Sequence, residues 1–404
     1  MIGITVGRQV FLAATFCAVL VSSAFAQSSS SGSAPPLSLY GVVPGDPTGA
    51  QGVSSVEQAV PAAVDPAEKP KRAELVIAPI PIINPTIENG LAVLGGYLYR
   101  LDTTDKTTPP SATGVLGFKT TNGSWGAAFV QSLHLSHDKV RLLGVGAYGD
   151  VNYAFYGIGQ SAGDAGLSIE LNQAGPAGMV EGLIHLGNRW YVGARYFGLH
   201  MTVTSSEIPI PGGPTLPGVD ADIRTASLGP RVDFDSRDNP FYAARGTQLQ
   251  SIIGFYGEGI GGHRSYQSYQ GALNRYHAIG RRSVLAWHAS GCGIDGDAPF
   301  YDLCLLGKPQ DLRGYTLGQY RDRAMLAAQA EWRSALWWRL GATAFFGEGL
   351  IARNFSSFTW DGLLPGGGVG LRFTVATQNH VNLRVDYAWG KNSSALYMGV
   401  AEAF

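Results

Sequence analysis

"VNLRVDYAW", residues 381–389, decides the fold class. Val381, Leu383, Val385, Tyr387 and Trp389 fall on one face of an extended chain and Asn382, Arg384, Asp386 and Ala388 on the other, a period of two that makes a strand. In "GGVGLRFTV" Val369, Leu371, Phe373 and Val375 oppose Gly370, Arg372 and Thr374, and in "LAAQAEWR" Leu326, Ala328, Ala330 and Trp332 oppose Ala327, Gln329, Glu331 and Arg333. A soluble sandwich alternates too. Here, however, the second face carries Arg, Asp, Glu, Gln and Gly, which suits a wet lumen, while the first suits hydrocarbon. Trp125, Trp190, Trp287, Trp332, Trp389 and Phe404 recur near strand ends, as interfacial girdles do. Lipid cannot hydrogen-bond a bare sheet edge, so such a sheet must close on itself.

The composition agrees. Charged residues are 15% of the 404, and the 55 glycines are about twice the usual share. After residue 26 no apolar run approaches the roughly 18 residues of a spanning helix, which excludes a helical membrane protein. A net charge of −1 offers no basic footprint for nucleic acid.

Residues 1–26 combine Arg8, an apolar run from Val10 to Val21 and the pattern Ala24-Phe25-Ala26, the marks of a cleaved signal peptide. Cys17 leaves with it. Cys292 and Cys304 remain as a candidate disulfide worth up to about 3 kcal/mol, the alternative being two packed thiols. Residues 27–85, with "QSSSSGSAPP" and "IAPIPIINP", read as a flexible periplasmic arm. From 86 to 404 alternating segments separated by turn residues predict an all-β transmembrane antiparallel β-barrel of about sixteen strands in a Gram-negative outer membrane. The first strand is placed at 89–101, a weak fifth at 166–173 ahead of a sixth at 177–187, and the last at 394–404. Asn122-Gly123 marks a hairpin.

Two stretches carry a resemblance. "LGPRVDFDSRDNPFYAARGT", residues 228–247, and "PFYDLCLLGKPQDLRGY", residues 299–315, followed by "AAQAEWR", resemble the bacterial surface-antigen barrels of outer-membrane assembly and translocation (BamA/TamA-like). The resemblance implies a turn motif at Asp235, Arg237, Asp238, Asn239 and Pro240 ahead of Arg245 and Gly246. It also implies a long loop folded back into the barrel, its tip Arg313-Gly314-Tyr315 meeting an acid of the inner wall, Glu331, with Arg321, Asp322 and Arg323 at the wet rim. A buried guanidinium needs such a partner. Tyr397, Gly399 and Phe404 resemble the terminal signal read by the barrel-insertion machinery.

Three departures stand out. Where the family reads Phe-x-Asp-x-Gly, this sequence reads "FFGEG", residues 345–349, so Gly347 replaces the acid and Glu348 faces the other way. Residues 27–85 are too short for a periplasmic POTRA domain, and Glu402 stands where an aromatic is favoured.

The function implied is insertion or transport of protein or lipid at the outer membrane; a passive porin-like channel is the alternative, and a barrel enzyme the third reading. "GQSAG", residues 159–163, fits the spacing of a nucleophile elbow, but no helical pattern follows Ser161, so no catalytic residue is assigned. His134 and His137 point to opposite faces of a strand, and neither a metal nor a cofactor is expected. The partners implied are outer-membrane lipid, the insertion machinery and an unidentified periplasmic protein or second copy, with no nucleic acid. Gly90, Gly95 and Gly96 in the first strand and Gly399 in the last would weaken the seam between them.

Overall fold

The computed structural model describes residues 73–404, apart from 85, 103, 104, 106, 107, 207, 210–214, 217, 219, 240, 241 and 377–380. The expected signal peptide, the arm as far as residue 72, and Pro240 lie outside the described residues.

The strands, in chain order, are β1 (Ala73–Asn84), β2 (Glu88–Tyr99), β3 (Ser111–Thr120), β4 (Trp125–Leu135), β5 (Val140–Phe155), β6 (Ile169–Gly187), β7 (Trp190–Thr204), β8 (Ile208–Pro209), β9 (Thr215–Leu216) and β10 (Asp220–Asp235). There follow β11 (Gly246–Tyr256), β12 (Tyr266–Ile279), β13 (Ser283–Gly296), β14 (Cys304–Leu305), β15 (Arg321–Asp322), β16 (Ala324–Trp337), β17 (Leu340–Ala352), β18 (Leu364–Ala376), β19 (Val381–Gly390) and β20 (Ser393–Val400). Among the described residues sixteen of them form one sheet, each antiparallel to its neighbour; β8–β9 and β14–β15 are short ladders inside connections. The sheet curls until β1 and β20 touch, yet no ladder joins these two among the described residues.

Burial is inverted relative to a soluble protein. Leu371 is 62% exposed while its neighbour Arg372 is 4% exposed, and the same alternation holds along β16 and β19. Apolar side chains therefore face lipid and charged ones face inward. Trp125, Trp190, Trp287, Trp332 and Trp389 are all exposed on the outer face. One rim carries the short turns at 136–139, 188–189, 280–282 and 338–339, the connections 100–110 and 236–245 and the two ends of the sheet, and is the periplasmic rim; the connections 156–168, 205–219, 257–265, 297–323 and 353–363 lie at the other.

The sheet has the expected number of strands through two compensating differences. β1 lies within the segment expected as arm, so among the described residues the sheet begins at Ala73, ahead of residue 86. Pro79 and Pro81 hid it, since proline cannot donate to a ladder; β1 accommodates them at the end of the sheet, where among the described residues β2 is its ladder partner. The second difference is at 169–187, where the expected fifth and sixth strands are one continuous β6: Gly175-Pro176 reads as a turn but runs on in register with Tyr148 and Gly149. Gly90, Gly95 and Gly96 consequently belong to β2, not to the seam strand.

The last strand also ends early, at Val400. Ala401 adopts φ 66, donates its N–H to the Asn382 carbonyl at 2.6 Å, and turns the chain inward. Phe404 accordingly is no girdle residue; it packs inside against Ala243, Tyr276, Val284 and Ala286.

Candidate functional site

The 27 residues between β13 and β16 form a hairpin that enters the barrel from its long-loop rim. β14 pairs with β15, and the Leu306 N–H donates to Tyr320 O at 2.9 Å below them. Leu306, Leu312, Tyr315 and Tyr320 are buried against the wall residues Tyr256, Met325, Ile351 and Leu364. A disulfide between Cys292 and Cys304, with 5.7 Å between the Cα atoms, ties the entering limb of the hairpin to β13.

The hairpin fits because glycines clear its path. At Gly314 φ is 109, and a Cβ there would lie 2.6 Å from the backbone of Trp389. On the wall, a Cβ at Gly366 would lie 2.6 Å from Arg313 O, and one at Gly390 2.6 Å from the Tyr315 ring. Backbone therefore lies directly on backbone. The Gly314 N–H donates to the Tyr397 hydroxyl at 3.0 Å, the Ser393 hydroxyl donates to Gly314 O at 2.6 Å, and the Tyr315 hydroxyl donates to Pro365 O at 2.6 Å.

This seat delivers Arg313, wholly buried, to two carboxylates. One terminal nitrogen bonds Glu331 on β16, the other donates to Asp386 on β19 at 2.7 Å, and Nε donates to Gln329 at 3.2 Å. The guanidinium lies 3.4 Å above the centre of the Phe345 ring on β17. Glu331 also receives Arg333 at 2.7 Å, Asp386 receives Arg372 at 2.5 Å, and Glu402 receives Arg372 and Asn382, both at 2.7 Å. Arg384 approaches Asp386 at 3.4 Å. Ions removed from bulk water cost several kcal/mol each unless paired, so removal of one member leaves charge uncompensated elsewhere in the cluster.

The family model described as the Omp85 superfamily domain matches residues 146–403. The chain belongs to the Omp85 superfamily. The crystal structure of BamA from Haemophilus ducreyi lacking POTRA domains 1–3 matches with a TM-score of 0.55 at 13% identity, over 82% of this chain and 70% of that one. CdiB from Acinetobacter baumannii gives 0.54 at 10%, over 82% and 60%, and CdiB from Escherichia coli 0.56 at 11%, over 83% and 63%. At these identities the similarity speaks to fold alone, and the chain spans less than two thirds of either CdiB chain. No curated protein matches the sequence.

In this Omp85 barrel of the Gram-negative outer membrane the remaining sequence candidates fall as follows. Gly347 faces inward and Glu348 outward, and the acid absent from β17 has its counterpart in Asp386, two strands away. Asp386 was missed as a loop partner, although its place on the polar face of "VNLRVDYAW" was the signal. Tyr397 holds the loop tip, and Gly399 leaves room for Arg384, whose Nε would be 3.1 Å from an added Cβ. Glu402, unusual for an aromatic position, belongs to the ion cluster.

The Asp235 to Gly246 turn is held by its own acids. Asp235 pairs with Arg237 at 2.8 Å, Asp238 accepts the N–H groups of Ala244 and Arg245, and Asn239 accepts that of Tyr242 at 3.0 Å. Gly246, at φ 110, closes it; the Arg245 side chain is exposed.

Arg321 and Asp322 are not at a wet rim. Both are buried, Arg321 donating to Gly318 O at 3.3 Å and lying 4.8 Å from the Phe155 ring, because β15 runs inside the wall; Arg323 is half-buried and donates to Gly296 O at 2.7 Å. Ser161 does lie in a helix, contrary to expectation: α1 (Gln160–Ala165), a single short piece in the β5–β6 connection, where Ser161 is exposed. Asp164 of α1 accepts Tyr320 at 3.0 Å and Lys391 at 2.8 Å, so the helix covers the hairpin. His134 lies at the turn-side end of β4, before Leu135, and pairs with Asp138 at 2.7 Å, while His137 sits in the turn beyond.

Proposed function

We propose that this barrel assists insertion or transport of protein or lipid at the outer membrane, with the 297–323 hairpin as a plug whose position is coupled to the seam between β1 and β20. The observation that carries the reading is that the hairpin touches both sides of that seam. Gly314 bonds Tyr397 and Ser393 of β20, and the Leu317 N–H donates to the Thr86 hydroxyl, in the turn directly after β1, at 3.0 Å. The seam itself lacks ladder pairing among the described residues. Two prolines in β1 fit best with their nitrogens turned away from β2, towards β20, where they offer no donor. A hairpin that leaves its seat withdraws its bonds from β20 and from the turn after β1 at once.

Barrel lipid contact, insertion by the barrel-assembly machinery, and a periplasmic partner or second copy that hands over the client belong to the same proposal. Conductance of the purified full chain in planar bilayers tests it. Small, flickering currents are expected of a plugged barrel; a large, steady current would replace this reading with the porin-like channel. Crosslinking in native membranes that recovers only isolated monomers would remove the partner.

A further inference from the structure

Charge is unevenly spread along the periplasmic rim. The connections 100–110, 136–139 and 236–245 hold acids, and Asp138 and Asp238 are engaged there, the first by Arg141 and the second by the N–H groups of Ala244 and Arg245. The stretches 277–283, 334–341 and 373–381, by contrast, contain neither Asp nor Glu, and the first two carry Arg281, Arg282 and Arg339. β16 pairs with β13 on one side and β17 on the other, so the two arginine turns are neighbours; the Ala335 N–H donates to Arg282 O at 2.8 Å. The Thr374 N–H donates to Arg339 O at 2.9 Å, which joins the end of β18 to the patch. Arg281 and Arg282 are exposed, Arg339 is half-buried, and among the described residues none of the three forms an ion pair.

The same patch is aromatic. Trp337 and Trp338 are 74% and 73% exposed, and the Arg339 guanidinium lies 5.5 Å from the centre of the Trp338 ring. Trp338 stands edge-on to Phe373, with ring centres 5.9 Å apart. Phe373 is paired with Leu340, and both are exposed on the lipid-facing side of the wall, so Trp338 lies on the bilayer side of its turn. Tryptophans at this level suit any phospholipid, because they set an apolar ring and an N–H at the boundary of chains and head groups. Three cations with no carboxylate beside them narrow the choice. A guanidinium forms paired hydrogen bonds with phosphate, and a lipid of net negative charge complements the patch where a zwitterionic one does not. We propose that this patch binds the head group of an anionic phospholipid of the periplasmic leaflet, with Arg281, Arg282 and Arg339 around its phosphate and Trp337 and Trp338 against the upper part of its chains. An acidic protein would match the arginines but would leave Phe373 and Leu340 uncovered, whereas a lipid covers both.

The site lies outside the wall and makes no use of the hairpin, so it is independent of the plug reading. Native mass spectrometry of the full chain, released from detergent micelles doped with equal amounts of phosphatidylglycerol and phosphatidylcholine, tests it. The wild type should retain phosphatidylglycerol over phosphatidylcholine by about tenfold. With Arg281→Gln, Arg282→Gln and Arg339→Gln combined, the ratio should fall to about one, with the strand signal in circular dichroism unchanged. Arg281→Gln with Arg282→Gln alone, at the exposed tip of one turn, should already lower it and decides the matter if the triple variant does not fold. Lys139→Gln with Arg245→Gln, which removes exposed cations elsewhere on the same rim, should keep the wild-type ratio. Equal retention of the two lipids by the wild type, or a preference that survives the arginine variants, would overturn the site. An equal loss in the Lys139 and Arg245 variant would replace it with diffuse charge of the rim, and displacement of phosphatidylglycerol by an equal amount of polyglutamate would give the arginines to an acidic protein instead.

Discussion

Arg313 and Asp386 are 73 residues apart in sequence, and the guanidinium of the first donates to the carboxylate of the second across 2.7 Å. With Glu331 as the other partner, a single loop residue joins β16 to β19 from inside the barrel.

Arg313→Ala leaves two buried carboxylates with one cation fewer and should destabilise the folded barrel by about 3–5 kcal/mol. Glu331→Ala should cost a similar amount, and the double variant less than the sum by about 1–3 kcal/mol. Urea unfolding in detergent micelles, followed by tryptophan fluorescence, measures all three; strict additivity would mean that the two do not act as a pair.

Asp386→Asn should cost about as much as Glu331→Gln, on the order of 2 kcal/mol or more, since each removes one charge-assisted bond to Arg313. Restoring an acid to β17 with Gly347→Asp should not repair it, because a Cβ at 347 would lie 2.5 Å from Ala328 O. The same unfolding assay checks this, and recovery in the double variant would show that β17 can supply the second carboxylate.

Cys292→Ser with Cys304→Ser should leave the strand content unchanged but release the entering limb of the hairpin, at a cost of up to about 3 kcal/mol. Far-ultraviolet circular dichroism should match the wild type, while limited proteolysis should cut faster within 297–323. Equal cutting of both proteins would show that packing alone holds the limb.

At the periplasmic rim, burial would raise the Asp138 carboxyl, but hydrogen bonds from His134 and Arg141 hold it well below the usual carboxylate range. A carboxyl depressed in the folded state stabilises above its unfolded value, about 4, and loses that contribution as the pH falls further. Asp138→Asn should therefore be less stable than the wild type at about pH 7, and the gap should narrow towards about pH 3. A gap of constant size from neutral to acid would mean that the charge of Asp138 does no stabilising there.

Gly314→Ala should unseat the tip without touching any charge, because φ 109 and the 2.6 Å approach to Trp389 both exclude a side chain. Bilayer currents should become larger and steadier than those of the wild type; unchanged flicker would show that the tip can rest elsewhere.

The alternation in "VNLRVDYAW", "GGVGLRFTV" and "LAAQAEWR", together with the charged residues of one face and the tryptophans near strand ends, determined the fold class and which side chains face inward, since a period of two lets one face of a strand meet lipid and the other water. For Glu331 it gave the inward face, while its pairing with the loop followed from the resemblance of the 299–315 stretch to the surface-antigen barrels. Edge status was another matter. Whether Pro79 and Pro81 are tolerated depends on β1 lying at the end of the sheet, with one ladder partner among the described residues, and Gly175-Pro176 continues a strand because β5 lies alongside. The tertiary structure alone decided that Asp386 and Tyr397 meet the loop tip, that Glu402 joins the ion cluster of the wall, and that the tail turns inward at Ala401. Each of these contacts joins segments whose separation is closed by the curvature of the whole sheet, a distance that no local pattern of residues encodes.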